Sequence, residues 1–169
     1  MTDNRQDALG IHQANLLDET AIREFSSKVR GQLIRPYDDG YDEVRSVFYG
    51  GFDRRPALIV RVEDAADVSR VVALARESGL ELAVRSGGHS VSDRGIVLDL
   101  SEMKGLEIDL ERLTAWAQTG LTAGEYTTAA GAHGLATGFG DTGSVGIGGS
   151  RWAAASVTSC ASTASRSTT

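Results

Sequence analysis

Apolar residues recur along this chain with two different periods, and the change of period divides it. Over 17–31, "LDETAIREFSSKVRG", Ile22, Phe25 and Val29 share one helical face, with Asp18 placed to cap the start and Gly31 to stop it. The aromatic, turn-rich stretch 35–56 predicts ordered but irregular chain. "ALIVRV" (57–62) is a β-branched run of buried-strand type. In the segment after it Asp64 can cap, Val68, Val71, Val72 and Ala75 recur at helical spacing, and Gly79 closes the helix. "LELAV" (80–84) then predicts a second strand. Strand, amphipathic helix and strand in so short a span form a βαβ unit, with parallel strands and a right-handed crossover.

Beyond residue 94 the period is two. "GIVLDLS" (95–101), "GLEIDLE" (105–111) and "LTAWAQT" (113–119) alternate apolar with polar between short turns, which predicts an antiparallel meander. Residues 121–134 predict a helix with a capping box of Thr122 and Glu125, closing at Gly134. The stretch 135–150 predicts a glycine loop. The expected fold is therefore α+β, a small parallel βαβ lobe followed by an antiparallel lobe.

Glycine usage sharpens this picture. Of 169 residues 20 are glycine and only 2 proline, and much of the glycine lies in 85–95 and 131–149. Glycine gathered in this way marks tight turns or backbone approached closely by something else. The net charge of −6, with no basic run, argues against a nucleic-acid or anionic-membrane partner. One cysteine, Cys160, allows neither an intrachain disulfide nor a CxxC metal pair. No apolar leader or membrane-length run is present, so cytoplasmic is the default location.

The candidate chemistry sits in the two glycine stretches. In "RSGGHS" (85–90), Gly87 and Gly88 allow successive N–H groups to converge into an anion-binding nest. Ser86 and Ser90 would add hydroxyls there, Arg85 could pair with a carboxylate or a phosphate, and His89 would stand beside the ligand. A plain glycine turn with an incidental surface histidine is the competing reading. Neither a P-loop nor a dinucleotide fingerprint is present, because GK[ST] and a GxGxxG opening a helix are both missing. "GFGDTGSVGIGG" (138–149) is again small and hydroxyl-rich, with Asp141 its one charge. Together the stretches suggest two walls of a site for an elongated, phosphate-bearing ligand. His12 and His133 carry no motif, and Tyr126 and Trp116 read as packing residues.

These motifs, in this order, resemble the PCMH-type FAD-binding domain of the vanillyl-alcohol-oxidase class, specifically the berberine-bridge-enzyme-like FAD-linked oxidases. The likeness runs from about Leu33 to Gly149 through "LAVRSGGHS", "GIVLDLSEMKGLEID" and "AHGLATGFGDTGSVGIGG". It implies FAD bound by Arg85, Ser86, Gly87, Gly88, His89 and Ser90 on one side and by Thr142, Gly143, Ser144 and Gly148 on the other. It also implies a covalent bond from His89 to the flavin 8α-methyl carbon. Thr142 stands where some relatives carry a second, cysteine linkage, so a single attachment is expected. The activity implied is oxidation of a small-molecule substrate, with no nucleic acid or membrane partner and an oligomeric state left open. An unrelated phosphate-binding α+β domain is the remaining alternative.

The implied domains are a flexible arm (1–15), an incomplete FAD-binding domain (16–149) and a tail (150–169). The tail is rich in Ser, Thr and Ala, lacks Asp and Glu, and shows no period. Shifted by one base, with G or C in the third codon positions, it can be read as a continuation like the family's. The expectation is thus a disordered, out-of-frame tail with Cys160 an accidental thiol, the substrate domain missing, and no catalytic acid or base within 1–149. A non-catalytic truncated flavin-binding product is the alternative outcome.

Overall fold

The computed structural model describes residues 17–47, 53–86, 93–139 and 142–149. The expected arm (1–15) and tail (150–169) lie outside the described residues, as do Gly87, Gly88, His89 and Ser90. Ten elements follow in order: α1 (Glu19–Ser26), β1 (Gln32–Ile34), α2 (Tyr41–Arg45), β2 (Leu58–Arg61), α3 (Ala65–Ser78), β3 (Leu82–Arg85), β4 (Ile96–Asp99), β5 (Leu106–Asp109), β6 (Thr114–Ala117) and α4 (Ala123–Gly131).

The capping expectations hold. Asp18 accepts from the Ala21 N–H, Asp64 from the Asp67 N–H, and Thr122 with Glu125 forms a full capping box. Gly79 ends α3 at φ +66°, a left-handed conformation that glycine adopts without penalty. Gly31, by contrast, does not stop α1, which closes at Ser27. It sits against β2, where an added Cβ would overlap the Arg61 carbonyl oxygen and lie 2.9 Å from the Val62 Cα. Its requirement is space between two backbones.

The first lobe holds a four-stranded sheet in the order β1-β2-β4-β3, with β1 antiparallel and the other three strands parallel. This corrects two expectations. The strands flanking α3 are parallel, but β4 lies between them, so 95–101 belongs to the parallel sheet and only β5 and β6 form an antiparallel pair. The physical reason is burial on both faces: Ile96, Val97, Leu98 and Asp99 are all buried, as a central parallel strand requires. The expected irregular stretch 35–56 also contains the short helix α2, and the unforeseen β1 precedes it.

Side-chain alternation sorts the core onto the two sheet faces. Leu58, Val60, Ile96 and Leu98 pack with Phe25, Val71 and Ala75 under α1 and α3. Ile59, Val97, Ile34 and Tyr41 pack on the other face, under α2, where the Tyr41 hydroxyl donates to the Pro56 carbonyl at 2.7 Å. Val72, expected on the apolar face of α3, is exposed. Asp67, on the same helix, is fully buried instead. It accepts from the Arg30 and Gly31 N–H groups at 3.1 and 2.9 Å and from Arg70 at 2.9 Å, pinning the α1–β1 turn to α3. Asp67→Ala, which strands those backbone donors, is expected to lower stability by about 2–3 kcal/mol, seen as a lower urea midpoint with an unchanged slope.

The second lobe is smaller. Leu121, Ala123 and Ile147 form its buried centre, joined by Leu106, Ala117, Tyr126 and Phe139. Tyr126 packs as expected, edge-on to Phe139 at 5.2 Å. Trp116 does not: it is 59% exposed on the β5–β6 hairpin, beside exposed Leu113 and Leu110. Among the described residues no helix is long and apolar enough to cross a membrane.

Candidate functional site

In open parallel sheets ligands settle in the crevice beyond the carboxyl ends of the strands. Here those ends carry an unusual row. Leu-Ile-Val-Arg, Ile-Val-Leu-Asp and Leu-Ala-Val-Arg finish β2, β4 and β3, and the register aligns Arg61 with Asp99 and Asp99 with Arg85. All three share the parity of Ile59 and Val97, so the row lies on the α2 face of the sheet.

Asp99 is 1% exposed. Its Oδ2 accepts from Arg85 Nη2 at 2.7 Å and from Arg61 Nε at 3.4 Å, and its Oδ1 from the Ser101 N–H at 3.0 Å. Burial alone would push this carboxyl up. The adjacent Arg85 charge and the hydrogen bonds from Arg85 and Ser101 outweigh burial and hold it below the ordinary carboxylate range. Arg85 Nη1 donates to the Val44 carbonyl at 2.5 Å, so this guanidinium ties β3 to both β4 and α2. The pairing open to Arg85 in the sequence is thus made with a carboxylate of the fold itself.

The row floors a cleft of about 380 Å³ between the two lobes. Glu43 and Val44 of α2 and Ser46 just after it form one wall, while Ser101, Lys104, Gly120 and Thr122 stand on the other, with Ser86 and Ser144 at its margin. Lys104 pairs with Glu125, whose carboxyl is held low first by that hydrogen bond and then by the Thr122 N–H.

The two glycine stretches meet here. The Ser86 hydroxyl, at the end of β3, donates to the Thr119 carbonyl. A Cβ on Gly148 would lie 3.0 Å from Thr119 Cβ and 3.2 Å from Ser86 Oγ. The second stretch is held by backbone pairing rather than as a free loop. The Ala123 N–H donates to the Val145 carbonyl at 2.8 Å, the Gly124 N–H to the Gly143 carbonyl at 2.8 Å, and the Ile147 N–H to the Leu121 carbonyl at 2.9 Å. Ser86, Gly148 and Ser144 are therefore gathered around one cleft. Gly143 is held against Gly124 beside it, and Thr142 accepts from the Val145 N–H at 3.5 Å. Sequence reasoning missed Asp99, Arg61 and Lys104. The repeated pattern of an apolar triplet followed by a charge, in three strands, was the signal for the first two.

The donor set suits a flavin nucleotide. Hydroxyls, a guanidinium and an ammonium can meet phosphate and ribityl oxygens, and the volume lies within the range of about 300–1,000 Å³ typical of such pockets. Among the described residues no group of three or more His, Cys, Asp or Glu could hold a metal ion.

Comparison with known proteins gives the same ligand class. The FAD binding domain family matches residues 56–163. (R)-6-Hydroxynicotine oxidase of Paenarthrobacter nicotinovorans is 38% identical over 113 residues, which is 64% of this chain and 25% of that protein. The crystal structure of 6-hydroxy-D-nicotine oxidase from Arthrobacter nicotinovorans superposes with a TM-score of 0.68 at 37% identity, covering 70% of this chain and 27% of that one. BBE-like 1 of Physcomitrella patens shares the fold, with a TM-score of 0.68 at 22% identity over 75% of this chain and 29% of its own. The chain thus spans between a quarter and a third of the length of these relatives. With hydroxyl-lined cleft, strand-end crevice and family match in agreement, the chain belongs to the FAD binding domain family and represents the flavin-binding portion of the FAD-linked oxidoreductases of the vanillyl-alcohol-oxidase class.

Proposed function

We propose that this chain binds FAD across the cleft as part of an oxidase of small organic molecules, with the flavin bonded to His89. The meeting of Ser86 with Gly148 at Thr119 carries the reading, because it joins the two glycine stretches at the strand-end crevice. His89 follows Ser86 by three residues, and the two residues between them, Gly87 and Gly88, carry no side chain. When bound, the flavin supplies two-electron acceptance from the substrate. The chain's own residues do the holding. Ser144 offers a hydroxyl at the cleft margin, and the paired backbone of 143–147 fixes that wall. A neutral imidazole at His89 is a competent nucleophile for the 8α carbon. Forming that bond would break the 8α C–H and the imidazole N–H, and the two electrons and two protons released would pass to dioxygen as hydrogen peroxide.

The test is acid precipitation of the purified chain. A yellow pellet is expected, together with a colourless pellet from His89→Ala that still binds FAD reversibly. A wild-type chain that neither retains nor binds flavin would overturn the reading.

A further inference from the structure

The row at the strand ends holds two cations and one anion, and their hydrogen bonds are unequally satisfied. Arg85 is 5% exposed, and its two terminal nitrogens are committed to Asp99 and to the Val44 carbonyl. Arg61 is joined to Asp99 by Nε alone, at 3.4 Å; its side chain is 27% exposed and lines the cleft. Its two terminal nitrogens have no partner among the described residues. With Asp99 and Arg85 neutralising each other, the surplus positive charge of the row is expressed at the Arg61 fork.

The other donors of the cleft are largely used within the fold. The Ser86 hydroxyl goes to Thr119, the Thr122 hydroxyl to Glu125, and Lys104 shares its charge with Glu125. Glu43 adds a carboxylate to the wall, but it lies exposed on α2, within 4 Å of no cation among the described residues, where solvent screens it. A planar fork held at Nε with both terminal N–H₂ groups open is the geometry that takes two oxygens of a phosphate together.

Building on the flavin reading, we infer that Arg61 is the phosphate-receiving residue of the cleft, taking the diphosphate of the nucleotide, while Arg85 serves to position it through Asp99. Such charge-assisted bonds lie in a range where their loss weakens binding about tenfold or more.

The full chain, produced in flavin-starved cells, is titrated with ADP, inorganic pyrophosphate and riboflavin. Arg61→Gln is expected to weaken ADP and pyrophosphate about tenfold and to leave riboflavin within twofold of wild type, with Arg61→Lys intermediate. ADP affinity within twofold of wild type in Arg61→Gln, or equal weakening of riboflavin, overturns the inference. A second measurement needs no variant to fold: in wild type, the Arg61 Nε–H nuclear resonance should move on adding ADP, and a stationary resonance at saturating ADP overturns the inference. A wild-type chain that binds neither riboflavin nor ADP brings down the flavin reading as well. One that binds both, while Arg61→Gln keeps its ADP affinity, brings down this inference alone.

Discussion

Asp99→Ala is expected to cost about 3–5 kcal/mol of folding stability, because it leaves a buried guanidinium without its counter-ion. Arg85 cannot swing out to water without giving up the Val44 carbonyl, and β3 is the sheet edge it anchors. The same substitution orphans the Ser101 N–H and frees Arg61. Asp99→Asn separates shape from charge. It keeps the size and one acceptor oxygen, for Arg85 or for the Ser101 N–H but not for both, and loses the anion, so a somewhat smaller loss is expected.

The pH dependence follows from the direction of the Asp99 shift. Its carboxyl binds a proton less readily when folded than when unfolded, where the value is roughly 4. Its contribution is therefore fully present above that unfolded value and is lost as pH falls through the lower native one. Asp67 and Asp38 are also held low, so the wild-type chain loses stability in acid at several sites. The stability difference between wild type and Asp99→Asn should accordingly be constant from pH 6 to 8 and shrink below about pH 4. Urea unfolding followed by circular dichroism at each pH measures it. A difference that grows on acidification would show that the Asp99 carboxylate is not stabilising the fold.

How much of this was legible in the sequence depends on the range of the interactions involved. The α3 and α4 caps were readable because a capping residue and its target lie three positions apart. The meeting of the glycine stretches was readable only as a suggestion, since nothing local places Ser86 beside Gly148. The misplacement of β4 has a specific cause. Its flanks, Gly95 and Leu100-Ser101, resemble those of an alternating strand, but Ile96-Val97-Leu98 is an uninterrupted apolar triplet, the mark of a strand covered on both faces. β1 and α2 have three and five residues, too few to establish a period. Asp67 and Asp99 carry no local signal of burial, because their partners are 36 and 14 residues away. Gly31 was assigned to a helix end for the same reason: the backbone it touches belongs to a strand that comes 30 residues later.

Gly120→Ala is expected to cost about 3 kcal/mol or more, and the reason is space rather than backbone conformation. Gly120 follows β6 and donates its N–H to the Met103 carbonyl at 2.9 Å. An added Cβ would overlap the Leu100 carbonyl oxygen and lie 2.7 Å from the Met103 carbonyl oxygen. Both obstacles are backbone, within a turn closed by the Met103 N–H on the Leu100 carbonyl at 2.9 Å, so no side chain can rotate away. The turn can yield only by moving Leu100, whose N–H is bonded to the Arg85 carbonyl at 2.8 Å, which carries the strain directly into the Arg61–Asp99–Arg85 row. Gly131, at the end of α4 with nothing within 4 Å of its added Cβ, supplies the opposite sign: Gly131→Ala should stabilise by up to about 0.5–1 kcal/mol. The two substitutions add the same methyl group to the same lobe, so thermal unfolding of the pair isolates the contact itself. Because Gly120 also lines the cleft, its variant should lose flavin affinity along with stability, whereas Gly131→Ala should keep it. Equal thermal shifts for the two would mean that the lobes can part at Leu100 without consequence, and that the cleft is not held at the width the backbone contact sets.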